Sequence, residues 1–144
     1  MNASEQAIGL NVTTKIAAVV NLFKTEFPDV KADLKPWLND PKTMELVDPD
    51  SIDIGFHFPG WSPRYQSRSI LVQIRFYQDP VEDNYGVIGV DTIGFNHQGQ
   101  AWRFSTVNEW QCEGKYIPAS DVSDRLKRFS QNVFNIFKPY GNPI

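Results

Sequence analysis

A single cysteine, Cys112, stands in a chain of 144 residues. One thiol excludes an internal disulfide and any metal centre built on several cysteines. It fits a reducing compartment, and the amino terminus carries neither a basic leader nor a long apolar run. A cytoplasmic protein is the expectation. No apolar stretch approaches the roughly 20 residues that span a bilayer, so no membrane partner is expected.

Histidine is almost as scarce, with only His57 and His97. Neither stands at zinc-ligand spacing from the other or from Cys112. Asp48, Asp50 and Asp53 offer oxygen ligands, but without the glycine and distant glutamate of a calcium loop. Gly86, Gly89 and Gly94 fall in or beside a strand rather than opening a helix, so the dinucleotide fingerprint fails on context. There is no nucleophile-elbow pattern. No cofactor and no metal are expected.

Positive charge is also in deficit: 14 basic residues against 17 acidic ones give a formal charge of -3. Non-specific nucleic-acid binding depends on neutralising many phosphates, so nucleic acid is an unlikely class of partner on composition.

What is present is alternation. In Ser51–Phe58 the residues Ile52, Ile54, Phe56 and Phe58 alternate with Asp53, Gly55 and His57. Successive strand side chains point to opposite faces, so the first set belongs to a core. Ser69–Tyr77 repeats this, with Ile70, Val72, Ile74 and Phe76 opposite Leu71, Gln73, Arg75 and Tyr77. A third strand over Gly86–Phe95 sets Ile88, Val90 and Thr92 against Val87, Asp91, Ile93 and Phe95. Asn96-His97-Gln98-Gly99 supplies a tight reversal. Gln100–Val107 then returns with Trp102, Phe104 and Thr106 opposite Arg103, Ser105 and Val107. Glu113-Gly114-Lys115 reads as a turn.

Helical spacing flanks these strands. Ile16, Val19, Val20, Phe23 and Phe27 make one apolar stripe over Thr14–Phe27, with Asn11 or Thr13 as cap and Pro28 as stop. Val122, Leu126, Phe129, Val133, Ile136 and Phe137 make another over Asp121–Lys138, capped by Ser120 or Asp121. Residues 1–10 read as an arm or short strand, and 139–144 as a tail. Between Asp29 and Asp50 the pattern is short helical pieces and turns, with a helix start at Asp40-Pro41. Trp37, Leu38, Met44, Leu46 and Val47 there are expected to pack over a sheet edge. A run of strands between helices predicts a single α+β domain: an antiparallel meander of four to six strands packed against an amino-terminal and a carboxy-terminal amphipathic helix.

Two places are candidates for function. Pro59–Arg68 reads as a ten-residue loop carrying Trp61, Arg64, Tyr65 and Arg68, types that dominate binding hot spots. The second sheet face collects Asp53, His57, Gln73, Arg75, Tyr77, Asp91 and Arg103, along with Leu71, Val87, Ile93 and Val107. These apolar members require a helix, a curled sheet or a second subunit over them, and a homodimer is one such cover. The leading expectation is a non-enzymatic module that binds a protein or small molecule through Trp61, Arg64, Tyr65, Arg68, His57, Arg75 and Arg103. The alternative is a semi-polar pocket on a curled sheet for a haem-like or other apolar ligand. The third is a hydrolase using Asp53 and His57, with the carboxylate tuning the imidazole as a general base.

Overall fold

The computed structural model describes residues 1–7, 9–36, 51–76 and 87–137. Its centre is one antiparallel sheet of six strands, whose order in space is their order along the chain. The strands are β1 (Lys31–Asp33), β2 (Ser51–Ser62), β3 (Ser67–Phe76), β4 (Val87–Asn96), β5 (Gly99–Ser105) and β6 (Cys112–Gly114). Helices α1 (Ala3–Gln6) and α2 (Gly9–Glu26) precede the main strands, and α3 (Ser120–Ile136) follows them. This is the α+β meander that the alternation predicts.

The period of two places the core. Ile52, Ile54 and Phe56 of β2, Ile70, Val72, Ile74 and Phe76 of β3, Val90 of β4, and Trp102 and Phe104 of β5 are all buried. Helix α3 lays Val122, Leu126, Phe129 and Val133 on that face, and α2 adds Val12, Ile16, Val19 and Phe23. Phe23 joins the layers. Its ring stacks on Phe56 at 4.0 Å between centroids and meets Phe129 edge-on at 5.1 Å. Burying each such side chain contributes about 1.5–3 kcal/mol, so the aromatic junction is a main tie between helices and sheet.

The helix starts differ from expectation. Helix α2 begins at Gly9, whose φ of +82° favours glycine. The hydroxyls of Thr13 and Thr14 donate back to the carbonyls of Gly9 and Leu10 rather than capping the helix. At α3 the cap position is Ala119, with no side-chain cap. Asp121 is instead engaged by arginines, described below.

Several strand limits are also corrected. Lys31–Asp33 lies in the span read as helical pieces, yet it pairs with Gly55–His57 of β2. Three residues are too few to show a period. The Asp40-Pro41 start, Trp37, Leu38, Met44, Leu46, Val47, Tyr77, Gly86, Lys138 and the tail lie outside the described residues. Strand β2 continues through Pro59 and Gly60 to Ser62, and only residues 63–66 form the turn to β3. Proline is tolerated there because the β2–β3 ladder is interrupted between His57 and Ser62 and β1 stops at His57. Cys112–Gly114 pairs with β5 rather than turning.

A bulge changes the face assignment in β4. Arg75 pairs with Gly89 but Phe76 pairs with Val87, so Ile88 is the extra residue. Ile88 is pushed into solvent, and Val87 packs against the core instead of the outer face. At the amino terminus, Asn2 forms a parallel bridge with Asp53 and the Gln6 amide donates to the Ser51 carbonyl at 3.1 Å. The segment is thus a bridge followed by one helical turn.

Candidate functional site

Strand pairing sets which side chains meet on the outer sheet face. One row across β2 to β5 is Asp53, Gln73, Asp91 and Ser105, and another across β2 to β4 is His57, Ser69 and Phe95. The two rows behave differently.

In the first row both carboxylates are already paired. Asp53 is fully buried, with Oδ2 at 2.9 Å from the Met1 α-ammonium and Oδ1 accepting from the Ser51 hydroxyl at 2.9 Å. Asp91 is equally buried. Its Oδ2 accepts from Arg103 Nη2 at 2.9 Å, and Arg75 Nε lies 3.0 Å from the same oxygen outside hydrogen-bond geometry. A buried carboxylate persists only with such compensation. Arg75 and Arg103, both expected to bind a ligand, are therefore already turned to Asp91.

His57 does not meet Asp53. Its Nε2 lies 3.3 Å from Oδ2 of Asp33 on β1. The structure thus gives the imidazole a carboxylate partner, but a different one, and keeps Arg75 on Asp91 instead.

The second row is open. Asp33, Pro36, Gly55, His57, Leu71 and Phe95 line a partly enclosed hollow of about 160 Å³. Gly55 matters to it: a Cβ there would stand 3.3 Å from the Pro36 Cβ, so its absence lets Pro36 lie over the strand. A shallower hollow of about 400 Å³ adjoins, lined by Phe58, Arg68, Asn96 and His97, and it shares His57, Ser69 and Phe95 with the first. Arg68 is exposed and makes no ion pair with any described residue. The result is one groove, apolar at its inner end and cationic at its rim.

The Trp61–Arg68 segment divides. Arg64 pairs with Asp121 of α3, and the Arg64 carbonyl accepts from Ala119 N–H at 2.8 Å. Tyr65 stacks on Phe58 at 4.7 Å and meets Phe27 at 5.5 Å, while its carbonyl accepts from Trp102 Nε1 at 2.8 Å. Both residues fasten the turn to the body. Trp61 is half exposed and lines neither hollow. Only Arg68 reaches the groove.

The Arg64 guanidinium holds the Asp121 carboxyl below its ordinary range, with Arg125 adding to the effect. Burial pushes the Cys112 thiol up, which removes thiolate and suits a packing role. Helices α2 and α3 also leave an open hollow of about 530 Å³, lined by Ala18, Asn21, Leu22, Thr25, Asn132, Asn135 and Ile136, with no charged side chain.

Of the groove residues, only His57 and Arg68 stand in the binding set expected from the sequence; Asp33, Ser69 and Phe95 are among those outside it. Phe95 was on the second face by alternation, but its meeting with His57 depends on the register of three strands. Asp33 gave no signal. Residues 4–139 match a family described as a domain of unknown function. The chain belongs to that family. No curated protein and no solved structure matches it. Every groove residue falls inside the matched span. Among the described residues no helix is long and apolar enough to cross a membrane, and no group of three or more His, Cys, Asp or Glu is arranged to hold a metal ion.

Proposed function

We propose that the protein is a non-enzymatic binding module whose binding surface is the groove around His57, Ser69 and Phe95. The observation that carries this reading is that two hollows share those three residues and open beside Arg68, which has no ion-pair partner among the described residues. Elsewhere on the outer face the charged groups Asp53, Asp91, Arg75 and Arg103 are held in ion pairs, whereas this end combines an apolar floor with exposed hydrogen-bonding groups, the usual make-up of a ligand site. The enclosed part is small. Drug-sized ligands occupy about 300–1,000 Å³, so a haem-like macrocycle is disfavoured here.

The test is a fragment screen read by amide chemical shifts on the full chain. Hits are expected to cluster on His57, Ser69 and Phe95, and Ser69→Trp, which fills the groove, should abolish them. Hits confined to the α2–α3 hollow, or unaffected by Ser69→Trp, would sink the reading.

A hydrolase reading has one observation in its favour. Asp33 orients His57, and Ser69 sits opposite His57 in the ladder. It ranks second because no hydrogen bond joins Ser69 to His57 and the imidazole is half exposed. Activated-ester turnover that disappears in a folded His57→Ala variant would reverse the ranking.

A further inference from the structure

We infer that the groove takes a small monocarboxylate with a single ring or branched apolar body, a class that rests on the binding-module reading above. Size fixes the body. A cavity of about 150 Å³ lined by apolar side chains holds a benzene molecule, and the enclosed hollow measures about 160 Å³. Leu71, Pro36 and Phe95 supply apolar contact on a scale that suits one ring.

Charge fixes the head group. Three positively charged or protonatable groups border the groove: His57, Arg68 and His97. The one carboxylate at the groove among the described residues, Asp33, lies at the inner hollow 3.3 Å from His57 Nε2 and does not line the outer hollow that holds Arg68. Arg68 has no acidic partner among the described residues, although the chain as a whole carries three more acidic than basic residues. In such a chain an arginine left without a counter-ion at the mouth of an apolar hollow is complementary to an anion. Its planar guanidinium suits a carboxylate in two-point contact. A ligand seated this way crosses the shared His57–Ser69–Phe95 row, with its ring inside and its carboxylate in the outer hollow beside Arg68 and His97. Ser69 lines both hollows along that path.

The experiment titrates isotope-labelled full-length protein with three probes: 3-phenylpropionate, its neutral amide, and acetate. Phenylpropionate should shift the amides of His57, Arg68, Ser69 and Phe95 together and bind about tenfold more tightly than the amide, the difference a charge-assisted contact provides. Arg68→Gln should bring the acid down to the affinity of the amide while leaving the amide unchanged. Acetate should bind at least tenfold more weakly than phenylpropionate. Equal binding of acid and amide within the groove would overturn the carboxylate class and leave the site reading intact. Acetate matching phenylpropionate would overturn the apolar body. An absence of groove shifts with all three probes would overturn both the class and the site.

Discussion

The indole of Trp102 occupies the space that a side chain at Gly94 would need. The two residues are cross-strand partners, and a Cβ on Gly94 would fall 2.3 Å from Cε2 of the ring. Trp102 is fully buried and its Nε1 is held by the Tyr65 carbonyl at 2.8 Å, so the ring cannot swing aside freely. Gly94 thereby helps fix the turn between β2 and β3 through an indole carried on β5.

Gly94→Ala should therefore destabilise the fold by about 1–3 kcal/mol, the usual cost of overpacking a filled core. Urea denaturation checks it. A change under about 0.5 kcal/mol would show that the indole relocates without loss.

Asp91→Asn leaves Arg75 and Arg103 facing each other without the carboxylate that separates their charges. Removing one member of a buried pair costs about 3–5 kcal/mol. Because both arginines are partly exposed and can turn to water, the loss expected here is nearer 2 kcal/mol. Chemical denaturation at low and high salt measures it, and high salt should narrow the gap by screening the arginine pair.

Acid should release the contact between the β2–β3 turn and α3. Asp121 has a folded-state pKa lowered chiefly by its hydrogen bond to Arg64. A lowered carboxylate pKa adds stability that is fully present above the unfolded value of about 4 and fades as pH falls through the lower folded value. The Tm of the native protein should thus exceed that of Asp121→Asn at pH 6, and the two should converge on acidification below pH 4. A constant difference across that window would mean that Asp121 acts by something other than its charge.

Cys112 should resist thiol reagents while the protein is folded. The side chain is buried and burial raises its pKa, so little thiolate is available at pH 8. Reaction with a disulfide reagent should be slow in buffer and rapid in denaturant. Equal rates would show that β6 opens readily from the sheet edge.

The groove was only partly legible in the chain. His57 and Arg68 stand out by residue type, and alternation alone puts His57 and Phe95 on the non-core side of their strands. Arg64 and Tyr65 share the hot-spot chemistry of Arg68, yet they fasten a turn to α3 and the core. Residue type does not distinguish an arginine with a partner from one without.

The α+β class, the core faces of β2, β3 and β5, both long helices and the Asn96–Gly99 reversal are all legible in the chain. Each rests on a local period or on turn chemistry, which short-range sterics and burial impose on consecutive residues. The pairing of His57 with Asp33 and the commitment of Arg75 and Arg103 to Asp91 come from long-range strand pairing. So do the displacement of Ile88 by the bulge and the closing of Pro36 over Gly55. These depend on which strand lies beside which and in what register. A shift of one residue turns a side chain to the opposite face, and no local pattern records that choice.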